Sequence, residues 1–188
     1  WDGAGGYSSH PGKIYNFNME KAWENVGKHT IVVGANFKQE EMVQDRYTLK
    51  HWKEENSKDQ YHAHDKGKVQ NFALFVQDEY KMSDPVTMYL GARLDYYKKC
   101  EGVFWNTTTP LNATSPSETH VEISPKIAFD YKADDKTHYF VSYGHSFNPP
   151  AMYKMYRYSE YTRYWYVPNP DLKPETSDTF ELGMKKEL

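Results

Sequence analysis

The residues best equipped for chemistry lie between Ala151 and Pro168, where six Tyr, Trp165, Arg157, Arg163 and Lys154 fall within 18 residues. Flat amphipathic rings interleaved with guanidinium forks suit a planar, anionic, aromatic-bearing ligand. Tyr156, Arg157, Tyr158, Arg163 and Trp165 are the candidate ligand-binding residues. The same rings would serve as well to pack the segment onto whatever lies beneath it. A second cluster, His62, His64 and Asp65, offers donors of the kind that hold a divalent metal. Histidines in a polar loop are more often solvated, and no metal is assigned. Glu175 and Glu181 could be paired as acid and base, but six residues apart beside a solvent loop they read as carboxylates of a wet surface. No nucleophile, base and orienting group fall together. The expectation is a binding protein, not an enzyme, and no resident cofactor is implied.

The composition narrows the elements that could position such a site. Of 188 residues only 38% are hydrophobic while 16% are aromatic, with 17 Tyr and 5 Trp. Few aliphatics with many tyrosines suit neither a helical bundle nor a parallel α/β sheet. A net charge of −3 with no run of Lys or Arg argues against nucleic acid. The one cysteine, Cys100, excludes an internal disulfide and a cysteine zinc site. No stretch approaches the ~18 apolar residues of a membrane helix. The chain opens at Trp1 with no leader, and we expect an internal segment of a longer protein.

Strict alternation recurs along the chain, the mark of strands with two chemically distinct faces. Met88, Leu90, Ala92, Leu94 and Tyr96 share one parity, against Tyr89, Gly91, Arg93 and Asp95 on the other. Val121 to Tyr131 behaves likewise, as do five further segments, near 15–24, 30–38, 71–81, 138–147 and 179–185. The exceptions on the apolar parity are Lys21, Asp78 and His145; the other parity carries a few bulky apolar residues, among them Phe75, Tyr97 and Phe140. The links run alternately short and long, at 25–29, 39–70, 82–87, 98–120, 132–137 and 148–178. Tight turns at one end and long loops at the other are the rule for outer-membrane β-barrels, and a soluble domain seldom carries three such loops. Gly27, Asp84-Pro85 and Asp134-Asp135 supply the turn chemistry. The expected fold is therefore all-β, an antiparallel up-and-down transmembrane β-barrel wall of about seven strands. Trp23, Tyr80, Tyr131 and Tyr139 then fall at the periplasmic ends of the apolar face, where an aromatic girdle belongs.

Three segments resemble one family. Phe75, Gln77, Asp78, Leu90, Gly91, Arg93 and Asp95 follow the "F-x-Q-D … L-x-x-G-x-R-x-D" hairpin of TonB-dependent receptors. Ser124-Pro125-Lys126 with Tyr139 to Pro150 is similar to that family's next hairpin, although Asn148-Pro149 stand where the family has Arg-Ala. Asn169, Pro170, Leu172, Pro174, Glu175, Ser177, Glu181 and Gly183 match its "N-P-x-L-x-P-E-x-S-x-x-x-E-x-G" box. The resemblance implies seven strands of a 22-stranded barrel with a plugged lumen. Residues 1–188 would be a partial barrel, with the plug domain and remaining strands absent. It implies an outer-membrane location and active import of a scarce nutrient, most simply a ferric siderophore or similar small ligand. The partners would be TonB, engaged through the absent plug region, and outer-membrane lipid, with no nucleic acid. Haem importers of the family usually carry a histidine between the last two boxes; residues 148–168 hold none, which disfavours haem. A soluble β-sandwich that binds carbohydrate through its tyrosines is the alternative, and a purely structural barrel or adhesin a third possibility.

Overall fold

The computed structural model describes residues 3–107, 113–160 and 165–187. Its elements in chain order begin with β1 (Gly5–Ser9), β2 (Gly12–Val26), β3 (His29–Leu49), a 3-10 turn at Glu55–Ser57, β4 (Lys58–Ser83) and β5 (Val86–Lys99). There follow β6 (Gly102–Asn106), β7 (Ala113–Ser115), β8 (Glu118–Lys132), β9 (Thr137–Asn148), α1 (Met152–Tyr156), β10 (Ser159–Glu160), β11 (Trp165–Tyr166) and β12 (Glu175–Lys186). One antiparallel sheet runs β2, β3, β4, β5, β8, β9, β12, so all seven expected strands are present and neighbours in sequence are neighbours in space. β1 pairs with the upper part of β3, and β6 and β7 pair beside the upper part of β4. Among the described residues no second sheet covers the apolar face, as one would in a sandwich. The sheet is open here, with β2 and β12 at its edges.

Register fixes the faces, because directly opposed residues point the same way. Phe17, Phe37, Phe72, Tyr96 and Val121 form one cross-strand row, and Val33, Val76, Ala92 and Pro125 another. This face is bare: Leu182 is 85% exposed, Phe180 78% and Ile123 61%. From Val86 to Tyr96 it spans ten residue steps, ~34 Å along β5 and ~26 Å at a tilt near 40°, the height of a lipid-facing band. Two of the three exceptions, Asp78 and His145, are paired. Asp78 accepts a 2.8 Å bond from His29, whose ring stacks on Tyr80 at 4.5 Å, and His145 meets Asp178 at 2.9 Å.

The opposite, lumen face is polar and internally bonded. Arg93 donates to both oxygens of Asp95 at 2.8 and 3.0 Å, and Asn71 adds a third bond at 3.1 Å. Its bulky residues have a reason. A Cβ at Gly34 would lie 2.2 Å from the Phe75 ring, and one at Gly183 would lie 2.3 Å from Phe140. Each aromatic ring covers a glycine on the adjacent strand, where a side chain would collide.

The external connections differ from the long loops expected between strands. β3 continues to Leu49 and β4 begins at Lys58, so the link expected over 39–70 is mostly paired strand rising beyond the apolar band. The link at 98–120 holds β6 and β7, and that at 148–178 holds α1 and the β10–β11 pair. The backbone satisfies its polar groups by pairing whether or not lipid lies outside. The short turns are as expected: Asn25 (φ 56°) and Gly27 (φ 66°) take the left-handed conformation that Asn and Gly tolerate best. Higher up, the wall divides. The β8–β9 ladder stops at Lys126 opposite Gly144, while β8 stays paired to β5 up to Glu118 and β9 to β12 up to Asn148. Pro125, with no N–H to give to a ladder, stands at the fork.

Candidate functional site

The described part of the Tyr-rich segment lies against the lumen face, at the loop-bearing end of the wall. α1 places Met155 and Tyr156 in a small core with Val69 and Tyr97, and Met42, Phe147, Met152 and Leu172 pack around it. Tyr156 lies across two glycines: a Cβ at Gly67 or Gly102 would come within 2.2 or 2.3 Å of its ring. Its hydroxyl donates to the Cys100 carbonyl at 3.1 Å. The Asn169-Pro170 pair of the closing box holds the other side. The Asn169 N–H donates to Lys154 O at 2.9 Å, and the Lys99 ammonium bonds both Pro170 O and Glu118.

Beyond α1 the chain reaches Asp65, which is fully buried. The Tyr158 N–H donates to Asp65 Oδ2 at 3.0 Å, and Arg46 approaches both carboxylate oxygens at 3.3 and 3.4 Å. The Arg46 guanidinium also stands 5.0 Å over the Tyr158 ring, which meets Phe104 at 5.5 Å. Burial pushes the Asp65 carboxyl up to about 6, outweighing the Tyr158 amide and the charges of Arg46, His64 and Arg157. Near the same two arginines, burial and then the charges of Arg157 and Arg46 hold His10 below the ordinary histidine range. Arg157 itself is half-buried, and its Nε has no hydrogen-bond partner among the described residues. Two guanidinium groups thus act on one carboxylate, and the unpartnered Arg157 Nε leaves donor capacity for an anion.

Of the five candidate residues, Tyr156, Arg157 and Tyr158 come together here. Tyr156 and Tyr158 are 3% and 1% exposed, so each holds the segment to the wall through ring and hydrogen bond. Arg163 lies outside the described residues, and Trp165 is placed only as a strand residue paired with Glu160. Arg46 and His10 escape sequence reasoning, since nothing local marks them. They reach the site through the pairing of β1 and β3 and through a bulge at His62, where Arg46 faces Ala63 and Tyr47 faces Tyr61. The same pairing separates His64 from Asp65. His64 turns to the outer face and meets Asp45 at 2.7 Å, whereas Asp65 points into the lumen. No group of three metal-binding side chains occurs among the described residues. Glu175 and Glu181 share the lumen face six residues, ~20 Å, apart along β12, too far to act on one bond.

The family profile described as TonB dependent receptor-like, beta-barrel matches residues 2–188. A hemin receptor of Yersinia enterocolitica is 31% identical over 125 residues, covering 58% of this chain and 16% of its own length. A hemin receptor of Yersinia pestis is 30% identical over 128 residues, covering 62% and 17%. The chain therefore spans about a sixth of these curated relatives. The crystal structure of the ferric-catecholate import receptor Fiu from E. coli K12, in its closed form, superposes with a TM-score of 0.60. That match covers 95% of this chain and 29% of the other at 16% identity, a likeness of fold. A one-layered wall with a bare apolar outer face, an ion-paired inner face and a profile match along nearly its whole length place this chain in the TonB-dependent receptor β-barrel family, a family of outer-membrane receptors.

Proposed function

We propose that the protein to which this wall belongs imports a ferric siderophore across the outer membrane, with energy supplied through TonB by a plug region outside this chain. The observation that carries the reading is the pair of guanidinium groups, Arg157 and Arg46, at the mouth beside a segment rich in tyrosine. Siderophore complexes that are anionic and aromatic match that chemistry. Tyr156 and Tyr158 hold the segment, Arg157 meets the ligand, and Arg163 and Trp165 extend the contact from the same stretch. Replacing Arg157 and Arg163 with Ala in the whole receptor should weaken ligand binding and leave barrel assembly intact. Unaltered affinity would return the segment to a packing role.

Hemin is the second reading, favoured by the two Yersinia relatives, both hemin receptors. Against it, residues 148–168 contain no histidine. Growth of a receptor-deletion strain, complemented with the whole gene, on hemin and on a panel of ferric siderophores separates the two. Rescue on hemin alone would overturn the siderophore reading.

A further inference from the structure

The outer face of β2 to β5 changes chemistry along a straight line. The aromatic row of Phe17, Phe37, Phe72 and Tyr96 closes the apolar band. One row above it stand Gln39, Gln70 and Lys98, and the next holds Lys13, Glu41 and Lys68, with Lys66 two residues beyond Lys68 on the same face. Four lysines thus face outward against one glutamate. Lys68 meets Glu41 at 3.6 Å, while Lys13, Lys66 and Lys98 have no ion pair among the described residues. Strand spacing puts neighbouring lysines of this group within ~10 Å of one another.

The excess is local. On the lumen face Lys38 is matched by Glu40 at 2.7 Å and Lys99 by Glu118 at 2.9 Å. On β8 and β12 the outer positions beyond the apolar band hold Thr119 and Thr176 and no lysine. Farther up the same outer face is an aromatic patch. Tyr47 lies 6.4 Å from Tyr7 and 4.9 Å from Tyr61, which is 5.3 Å from Trp105, and Lys58 sits 3.9 Å over the Tyr7 ring. Read from the band upward, this strip is apolar, then cationic, then aromatic.

We propose that this strip is the seat of a phosphorylated glycolipid of the outer leaflet. Its acyl chains lie along Phe72 to Val76, its phosphates meet Lys13, Lys66, Lys68 and Lys98, and its sugars reach toward Tyr61 and Trp105. Charge complementarity selects an anionic headgroup, since uncompensated lysines at a membrane surface attract anionic lipid. The aromatic patch runs along β4 from Trp105, ~7 Å above Lys66, to Tyr61, ~17 Å above it, and its far end selects a headgroup taller than that of a phospholipid. The inference rests on the membrane-barrel reading, in which the loop-bearing end faces outward.

The test uses the whole receptor extracted from outer membranes in mild detergent. Phosphorylated glycolipid bound per receptor is measured for the wild type, the triple variant Lys13→Glu, Lys66→Glu, Lys98→Glu, and the triple Lys→Arg variant. Should the glutamate variant not assemble, the triple Lys→Gln variant replaces it. Bound glycolipid should fall about ten-fold or more in the charge-removing variant and be retained with arginine. Stripped wild-type receptor should rebind purified lipopolysaccharide, and bind dephosphorylated lipopolysaccharide and phosphatidylglycerol at least about ten-fold less. Unchanged glycolipid content, or equal binding of phosphatidylglycerol, would overturn the proposal. Heat-modifiable gel mobility and cargo uptake, read on the same samples, report the barrel and import readings separately.

Discussion

A carboxylate that accepts a backbone amide and faces two guanidinium groups would ordinarily be ionised well below neutral pH. Burial reverses that for Asp65, raising it to about 6 from 3.8. The docked segment therefore binds a proton more tightly than the released one, and docking is strongest at acid pH. The gain is complete below about 4 and is lost as pH rises through about 6. Protection of the Tyr158 amide, corrected for intrinsic exchange, should be greater at pH 5 than at pH 7.5. Asp65→Asn should flatten the profile, and protection that grows with pH would contradict the assignment. Facing is testable on two adjacent residues. Val76 points outward near the middle of the band and Gln77 into the lumen. Val76→Arg should lose about 2–4 kcal/mol of barrel stability in lipid, and Gln77→Arg much less. A larger loss at Gln77 would invert the wall. The residue types of the site were legible in the sequence, since Tyr156, Arg157 and Tyr158 stand out by composition alone. Their partners were not, because Asp65 lies 93 residues from Tyr158 and meets it only through sheet register.

At the scale of elements, seven strands announce themselves because lipid on one side and water on the other write opposite chemistry on alternate residues. The same strands vanish from the pattern above the band. From Gln39 to Leu49 and from Lys58 to Gln70 the outer face is polar and the covered lumen face buries polar residues such as Gln44 and Asp65 beside apolar ones, so hydrophobic contrast fades while the hydrogen-bond ladder continues. The clamp on α1 depends on two absent side chains. Gly67→Ala would set a methyl 2.2 Å from the Tyr156 ring, against a wall that cannot retreat. Overpacking of this kind loses about 1–3 kcal/mol. We expect faster proteolysis between Ala151 and Tyr158, with unchanged heat-modifiable mobility. Loss of mobility change instead would show that Gly67 supports the wall itself.

For the whole molecule, the described strands leave β2 and β12 each paired on one side and an apolar face uncovered. Open edges and greasy surface are a template for aggregation in water. Residues 1–188 expressed alone should aggregate or require detergent. A monodisperse monomer in plain buffer with cooperative unfolding would show that the wall has found another way to cover itself. The fork at Pro125 bears on the same wall as a mechanical object. Two leaves, one ending in β8 and the other beginning with β9, share their ladder only below Lys126 and Gly144. Above that point only side chains bridge the gap, His145 reaching Glu122 at 3.5 Å. A load spreading the mouth would concentrate at the last shared rung, as stress gathers at the tip of a crack, and the wall would tear downward from there, rung by rung, before any intact hairpin yielded.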